Sequence, residues 1–487
     1  MDFTEIYKHS SSLVAFSPGA HFILTAVQDR LVVRRADSFQ ITRKWQVDAS
    51  PSPSEVALAA PKASASSVKP KTNVSGKDTP VHITHIAWSC DSEYVLAACA
   101  KSGVVHVYKL RDEEWSARID AGAEGLVKAE WAPDGRNILC FSEWNLRVTI
   151  WSLVTGTSIY IQYPLHFDKG YAFRRDGRYL ALVERLKSRD TLGLYDASNA
   201  FKLVRHFPLP TSSLSLMALS PRGTHIAICE GPLEYKLYIV SVATGAVLAT
   251  FVPDLDPGFG IRHIKWHPDG AFLLVGGWDD RIHVLDGLSF SPICAIELAS
   301  RVAASVAIWR EPSKWLEATE GRGFLAYERV RSAQTLPVAR PDLTKPPPKC
   351  GAVQMEFNQN GALLLLRFEN VPNVMYIYDF PSDGAPLLQP KLRTVIMNNK
   401  AVLHARWNPI RPGNLAFCSG ERSVYLWSDE WVGEDAQTDV EGVTECVGVP
   451  AQEFETRNLH WAPDGKGLVL LDKDAFCCAF EVQDEEV

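Results

Sequence analysis

The sequence has few of the features that mark metal proteins, nucleic-acid-binding proteins and membrane proteins. Its ten cysteines include no CxxC pair, which argues against a zinc ribbon or a thioredoxin-type redox site. The formal net charge is -7, and a dedicated nucleic-acid-binding domain is usually basic. No apolar run approaches the ~18 residues that span a bilayer, and the first eleven residues lack the apolar core of a signal peptide. We therefore expect a soluble protein of the cytosol or nucleus.

Signatures of catalysis are also missing. The sequence contains no phosphate-binding loop, GxSxG elbow, HExxH motif or kinase signature. What it does contain is material for a large core: 46% of the 487 residues are hydrophobic, and 14 are tryptophan and 21 phenylalanine. These proportions exclude collagen-like, coiled-coil and wholly disordered chains.

One short pattern recurs nine times along the chain. An apolar strand ends in an aromatic residue, and Ser/Ala-Pro-Asp-Gly or a remnant of it follows. The clearest copies are AEWAPDG (129–135), IKWHPDG (264–270) and LHWAPDG (459–465). We call the residue at the aromatic position the anchor; the nine anchors are Phe16, Trp88, Trp131, Phe173, Leu219, Trp266, Phe357, Trp407 and Trp461. Eight of the nine are aromatic, although aromatic residues make up 10% of the chain.

The pattern has a direct physical interpretation. The anchor ends a strand and packs between neighbouring sheets, Pro and Gly then supply the backbone angles of a tight turn, and the chain re-enters as a second strand. Six of the eight intervals between anchors are 42 to 54 residues long, and the other two are 72 and 91. Because a WD-repeat blade has a period of ~40–45 residues, the spacing predicts a β-propeller.

The chain must also close its last blade. Only two strands, GLVLLD (467–472) and AFCCAFEV (475–482), follow the last anchor, and the strand FTEIYKH (3–9) precedes the first. The N-terminal strand could complete the last blade and hide both sheet edges. We therefore predict an all-β, WD-repeat-like propeller over residues 1–487, a single closed ring of eight or nine blades.

Three segments interrupt the repeats. Residues 49–80 contain seven Ser, five Pro and six Ala, which predicts a disordered insertion. Residues 310–350 predict either an irregular insertion or a degenerate blade. Residues 429–447 contain seven carboxylates and no Lys or Arg, which predicts an acidic surface loop.

No residue is predicted to be catalytic, to bind a cofactor or to ligate a metal. His460 follows the pattern of a packed strand residue, and Cys477 and Cys478 should point to opposite faces of one strand. Four aspartates precede glycine in the repeated turns and are interpreted as turn residues: Asp134, Asp176, Asp269 and Asp464.

Two further hypotheses concern regulation and partner binding. Ser50, Ser52 and Thr79 each precede proline in the 49–80 insertion and are candidates for proline-directed phosphorylation. Trp315 and Trp431 lie in predicted loops and are candidate contact residues for a partner, although packing on its own loop is the interpretation that we favour for each.

The sequence resembles the WD-repeat-containing protein eight family of centrosomes and spindle pole bodies. The resemblance runs nearly end to end and includes pieces outside the repeats, although the 49–80 insertion departs from the shorter form of the family. The segments that carry it are DFTEIYKHSS (2–11), RLVVR (30–34), GLVKAEWAPDGRNIL (125–139), LRVTIWSL (146–153), YIQYP (160–164), RRDGRYLAL (174–182), LEYK (233–236), NVPNVMYIYD (370–379) and KDAFC (473–477).

This resemblance implies a non-enzymatic scaffold without cofactors. Its implied partners are a coiled-coil microtubule-anchoring protein, a minus-end-directed kinesin and spindle-pole or γ-tubulin components, with no nucleic acid. Its implied location is the cytoplasmic cytoskeleton, at the spindle pole body or microtubule-organising centre. The alternative is an RNA- or ribosome-associated propeller of the translation-initiation type, against which the acidic charge argues. A propeller enzyme ranks third.

Overall fold

The computed structural model describes residues 1–48, 82–256, 258–342, 344, 348–381, 389–431 and 442–481. The chain divides into two compact units, one of Lys8–Tyr163 and one of Met1–Tyr7 with Pro164–Val487. Strands dominate both units. Over the described ranges the helical segments are one α-helix, α1 (Trp315–Ala318), and four 3-10 turns, Ala100–Ser102, Gly122–Glu124, Glu143–Asn145 and Ala197–Asn199.

The Lys8–Tyr163 unit contains three four-stranded antiparallel blades, and two short strands, β1 (Asp2–Phe3) and β2 (Tyr7–Lys8), precede them in the chain. Blade 1 consists of β3 (Val14–Phe16), β4 (Phe22–Val27), β5 (Arg30–Arg35) and β6 (Ile41–Gln46). Blade 2 consists of β7 (His85–Trp88), β8 (Tyr94–Cys99), β9 (Val104–Lys109) and β10 (Ser116–Asp120). Blade 3 consists of β11 (Lys128–Trp131), β12 (Asn137–Phe141), β13 (Arg147–Ser152) and β14 (Ser158–Gln162).

The second unit begins with three regular blades of the same kind. Blade 4 consists of β15 (Tyr171–Phe173), β16 (Tyr179–Leu186), β17 (Arg189–Asp196) and β18 (Lys202–Pro208). Blade 5 consists of β19 (Leu216–Leu219), β20 (His225–Cys229), β21 (Leu237–Ser241) and β22 (Val247–Phe251). Blade 6 consists of β23 (Ile261–Trp266), β24 (Phe272–Gly277), β25 (Arg281–Asp286) and β26 (Pro292–Glu297).

After blade 6 come short strands around α1, and then the last three blades. The short strands are β27 (Arg301–Val302), β28 (Ala307–Arg310), β29 (Phe324–Ala326), β30 (Glu328–Val330) and β31 (Gln334–Thr335). Blade 7 consists of β32 (Ala352–Phe357), β33 (Leu363–Phe368), β34 (Val374–Asp379) and β35 (Lys391–Met397). Blade 8 consists of β36 (His404–Trp407), β37 (Asn414–Cys418), β38 (Ser423–Ser428) and β39 (Val443–Gly448). Blade 9 consists of β40 (Asn458–Trp461), β41 (Gly467–Leu471), β42 (Ala475–Phe480) and β1.

The fold-class prediction is confirmed. The structure is all-β, with nine propeller blades, and the first strand of the chain is the fourth strand of the last blade. Asp2 pairs with Phe480 and Phe3 with Ala479 in an antiparallel register. Because this pairing covers the outer edge of β42, the last blade does not end on an unpaired strand.

Each of the nine anchors is the last residue of the first strand of a blade. The core lies in the seams between neighbouring blades of each unit. Between blades 1 and 2, for example, Leu24 and Val33 pack in one cluster with Trp88 and Val95. Strands inside a blade are therefore buried on both faces, as in β33, which is buried at all six positions. The outer strand β18 is exposed at every position except Phe207.

Five tryptophan anchors link neighbouring blades by hydrogen bonds. The indole N–H of each donates to the carbonyl of the residue just before the anchor of the preceding blade, at 2.9–3.3 Å. The pairs are Trp88 to Ala15, Trp131 to Ala87, Trp266 to Ala218, Trp407 to Glu356 and Trp461 to Arg406. Phe357 has no such donor; at its seam the His267 ring contacts Phe357 and its Nε2 lies 3.1 Å from the carbonyl oxygen of Gly361.

The insertion after blade 6 extends two blades at their outer edges. β28 pairs in parallel with β35, and β30 pairs with β28, so blade 7 has six strands. β29 pairs antiparallel with β39 and adds a fifth strand to blade 8. In its described part the 310–350 segment therefore contains no four-stranded blade of its own.

The other two predicted insertions lie largely outside the description. Residues 49–80, with Ser50, Ser52 and Thr79, are outside the described residues, and so are 432–441 of the 429–447 segment. The prediction of a loop throughout 429–447 is wrong at its end, because 443–447 belong to the paired strand β39. The sequence of this strand does not alternate, since Cys446 and Val447 are consecutive and five of its six residues are buried, so no period-two pattern indicated it.

Candidate interaction surfaces

The described residues contain no cluster that could hold a metal ion. Nowhere among them do three or more His, Cys, Asp or Glu side chains meet as a metal site would require. None of the described helices has the length and apolar character needed to cross a membrane. We consider exposed surfaces and pockets as candidate sites for binding another protein.

The four aspartates of the repeated turns are engaged within those turns. Asp134 accepts hydrogen bonds from the backbone N–H groups of Arg136 and Asn137, at 2.9 and 3.0 Å. Asp176, Asp269 and Asp464 each accept one from the residue two positions further on. These side chains shape the turn, with Gly135 at φ 64° in the first case.

His460 and the adjacent cysteines are packed strand residues. His460 lies in β40, and burial lowers the pKa of its ring, as do the nearby positive charges of Arg406 and His404. Cys477 and Cys478 are consecutive residues of β42, and both are buried. Cys477 packs in the seam between blades 8 and 9.

The two loop tryptophans have different positions. Trp315 is buried, its indole N–H donates to the Glu311 carboxylate at 2.8 Å, and the ring packs in a core cluster with residues of blades 7 and 8. Trp431 is half-buried and packs against the cores of blades 7 to 9. It lines the cleft described below.

The most exposed tryptophan of the described chain is one that the sequence patterns did not single out. Trp144 lies in the turn between β12 and β13, and 86% of its surface is exposed. Its backbone is left-handed (φ 57°, ψ 18°), and so is that of Asn145 (φ 53°). Each such residue costs of the order of 1 kcal/mol, and strain of this kind concentrates at functional sites.

Three further large apolar residues of blade 3 are exposed, Leu146, Tyr160 and Tyr163. The backbone N–H of Tyr163 donates to the carbonyl of Leu146 at 2.9 Å, which ties the end of β14 to the turn. The guanidinium of Arg147 lies 4.6 Å from the Tyr160 ring centroid and so restrains that ring. Tryptophan and tyrosine on a rigid support are the residues that most often dominate protein–protein binding energy.

A second surface is a cleft of about 600 Å³ between the outer parts of blades 8 and 9. We call it the aromatic cleft; its apolar lining includes Phe3, Phe324, Trp427, Trp431 and Trp461. Trp427 is fully buried and its indole N–H has no hydrogen-bond partner. An ion pair at the rim joins Arg411 to Glu481 at 2.8 Å. The cleft has the size and lining of a pocket for apolar side chains.

The nine blades, their anchors and these surfaces define a WD-repeat β-propeller, a class whose members typically serve as non-enzymatic scaffolds for other proteins. Residues 249–286 match the family model of the WD domain, G-beta repeat. The match runs from β22, the outer strand of blade 5, through the first three strands of blade 6. The sequence repeat is thus offset from the blade by one strand.

Comparison over the whole length identifies the family. The chain is 30% identical over 509 aligned residues to the mouse WD repeat-containing protein WRAP73, and the alignment covers 100% of this chain and 97% of WRAP73. The chain belongs to the WD-repeat protein family that includes WRAP73. It is also 23% identical over 403 residues to an uncharacterised WD repeat-containing protein of Schizosaccharomyces pombe, covering 78% of this chain and 77% of that protein.

Two solved structures are also similar in part. The C-terminal WD40 domain of Sif2 aligns with a TM-score of 0.47 and 10% identity, over 92% of this chain and 99% of that one. KlHsv2, with its loop 6CD replaced by a Gly-Ser linker, aligns with a TM-score of 0.41 and 11% identity, over 78% of this chain and 97% of that one.

Proposed function

We propose that this protein is a scaffold of the spindle pole body or centrosome that helps to anchor microtubule minus ends. In this proposal it binds a coiled-coil anchoring protein and a minus-end-directed kinesin, together with spindle-pole or γ-tubulin components, and supports organisation of the mitotic spindle. The observation that carries the proposal is the end-to-end similarity to a single WD-repeat family, which includes the segments between the repeats.

The surface chemistry is compatible with this role. Blade 3 presents Trp144 as an exposed aromatic side chain in the turn between β12 and β13, and the aromatic cleft presents an apolar concavity. Both are suited to amphipathic partner segments, such as the helices of a coiled-coil protein. Neither feature requires a reaction centre.

Affinity purification of the tagged full-length chain from dividing cells, with quantitative mass spectrometry, tests the proposal. We expect spindle-pole and microtubule-anchoring proteins among the specific partners. The Trp144→Ala variant should lose at least one of them by about tenfold or more, the size of a binding hot spot. Leu288→Ala, which removes an equally exposed apolar side chain in blade 6, should retain them all.

Two outcomes would contradict the proposal. If the specific partners include no spindle-pole or microtubule-anchoring protein, both the proposed location and the proposed partners are contradicted. Recovery of ribosomes or initiation factors in their place would instead support the RNA-associated alternative.

A further inference from the structure

A pocket of about 460 Å³ lies where the first strands of blades 7 and 8 come together. Gln354 and Glu356 of β32 form one side, and His404 and Arg406 of β36 form the other. Arg367, from the second strand of blade 7, forms part of the lining between them. We call this pocket the inner-strand pocket.

Arg367 is a buried cation without a carboxylate partner. Only 8% of its surface is exposed, and across the described ranges no carboxylate lies within ion-pair distance of it. Nη1 donates to Gln354 Oε1 at 3.1 Å and to the Leu403 carbonyl at 3.2 Å, and Nη2 donates to the Val402 carbonyl. The Nε–H has no hydrogen-bond partner. Burying a charge in this way is costly unless an opposite charge joins it.

A second arginine of the pocket, Arg406, also lacks a carboxylate partner within the described part of the chain. Arg406 is half-buried, its Nε–H also lacks a hydrogen-bond partner, and no ion pair to it is formed by the residues that the structure describes. The positive field of the two arginines acts on His404: burial lowers the pKa of that ring, and the charges of Arg406 and Arg367 lower it further. The two guanidinium groups supply the permanent positive charge of the pocket.

The acidic groups in the pocket are already engaged. Glu356 accepts a hydrogen bond from the Gln354 amide at 2.7 Å. Glu369 forms an ion pair with Arg262 at 2.7 Å. Arg262 neutralises Glu369, so this pair adds no net charge. Arg367 and Arg406 contribute two positive charges and Glu356 one negative charge, which leaves a surplus of one positive charge. A single carboxylate balances that surplus, whereas a dianionic phosphate would add repulsion with Glu356 and Glu369.

We propose that the inner-strand pocket binds an acidic segment of a partner protein, with one Asp or Glu carboxylate of that segment placed between Arg367 and Arg406. Guanidinium groups bind carboxylates through paired, charge-assisted hydrogen bonds, and neither arginine has a carboxylate partner among the described residues. The pocket is larger than a lone carboxylate, so neighbouring peptide atoms can occupy the remainder. This inference is independent of which cellular structure the protein serves.

Fluorescence anisotropy of a labelled hexaglutamate peptide, titrated with the full-length chain at low salt, tests the proposal. We expect saturable binding that Arg367→Gln and Arg406→Gln each weaken by tenfold or more. Arg35→Gln, which neutralises an exposed arginine paired with Asp37 in blade 1, should leave the binding unchanged. Thermal unfolding of each variant shows whether it is folded. If substitution of the buried Arg367 prevents folding, the half-buried Arg406→Gln variant still tests the pocket.

The controls separate the alternatives. A hexaglutamine peptide should not bind, and inorganic phosphate should displace hexaglutamate only at far higher concentration. Absence of saturable binding to the wild-type chain, or binding that the folded Arg406→Gln variant leaves unchanged, would overturn the proposal. Displacement by phosphate at the concentration of the peptide itself would overturn it in favour of a general anion site.

Discussion

The carboxylate of Glu311 accepts a hydrogen bond of 2.8 Å from the hydroxyl of Tyr425, which lies in β38 of blade 8. The same carboxylate accepts hydrogen bonds from the Trp315 indole at 2.8 Å and from the Asn399 backbone at 2.7 Å. Glu311 is 2% exposed. One buried side chain thus joins the insertion to blades 7 and 8.

We expect Glu311→Ala to lower the free energy of unfolding by about 3 kcal/mol, because the substitution removes the acceptor of three hydrogen bonds, two of them from buried side chains. Urea denaturation of the two proteins measures the change. Glu317→Ala is the matched control, since Glu317 is exposed in α1 next to Trp315, and it should change stability by no more than about 0.5 kcal/mol. Equal stability of wild type and Glu311→Ala would contradict the role given to this carboxylate.

Replacement of a tryptophan anchor tests the hydrogen bonds between blades. Trp266→Phe keeps an aromatic ring in the seam but leaves the Ala218 carbonyl without its donor, and the expected loss is about 1–2 kcal/mol. Trp144→Phe makes the same chemical change at an exposed position and should cost less than about 0.5 kcal/mol. Chemical denaturation measures the free energy of unfolding of both variants. Equal losses of stability would contradict a contribution from the hydrogen bond between the blades.

Asp279 predicts a pH dependence of stability. Its burial raises the pKa of the carboxyl to about 6, and the negative charges of Asp280 and Asp256 contribute. Because the folded state then binds the proton more tightly than the unfolded state, this group destabilises the fold increasingly as pH rises towards 6, and fully above it. Asp279→Asn should therefore unfold at a higher temperature than wild type at pH 8, with the difference shrinking towards pH 4.

The control for that experiment is Asp474→Asn, which removes a charge at an exposed position of the turn before β42. Its melting temperature should follow that of wild type across the range. A difference between Asp279→Asn and wild type that does not change with pH would show that the carboxyl is not titrating as the structure implies.

Thiol reactivity is expected to single out one cysteine. All ten cysteines are free, eight are buried, Cys294 is half-buried and Cys90 alone is exposed. Burial also raises the pKa values of buried thiols, that of Cys140 to about 12, which keeps them unreactive. Labelling of the native protein with a disulfide reagent should give one fast equivalent that Cys90→Ser abolishes, and ten equivalents in denaturant.

The sequence predicts the repeated part of the fold well because local chemistry determines it. An aromatic residue before a Pro-Asp-Gly turn ends the first strand of a blade wherever it occurs, and even Leu219, the weakest anchor, holds that position. The fourth strand of the last blade was also predictable. One extra strand precedes the first anchor, and the last blade lacks one strand, so the first strand of the chain can complete the last blade.

The features that were missed depend on contacts distant in sequence. The parallel pairing of Ala307 with Thr394 has no local signal, so the edge strands of the insertion could not be placed. Arg367 follows four leucines and resembles the polar end of a strand, although it is buried beside a pocket. The exposure of Trp144 depends on a left-handed turn, and the local sequence contains no signal that predicts this turn.

Live imaging of the fluorescently tagged full-length chain beside a spindle-pole marker, through mitosis in dividing cells, tests the central claim most directly. The account predicts foci that coincide with the spindle poles and that persist when microtubules are depolymerised, since an anchoring scaffold belongs to the pole itself. A diffuse signal throughout mitosis, or one that follows ribosomes, would contradict it.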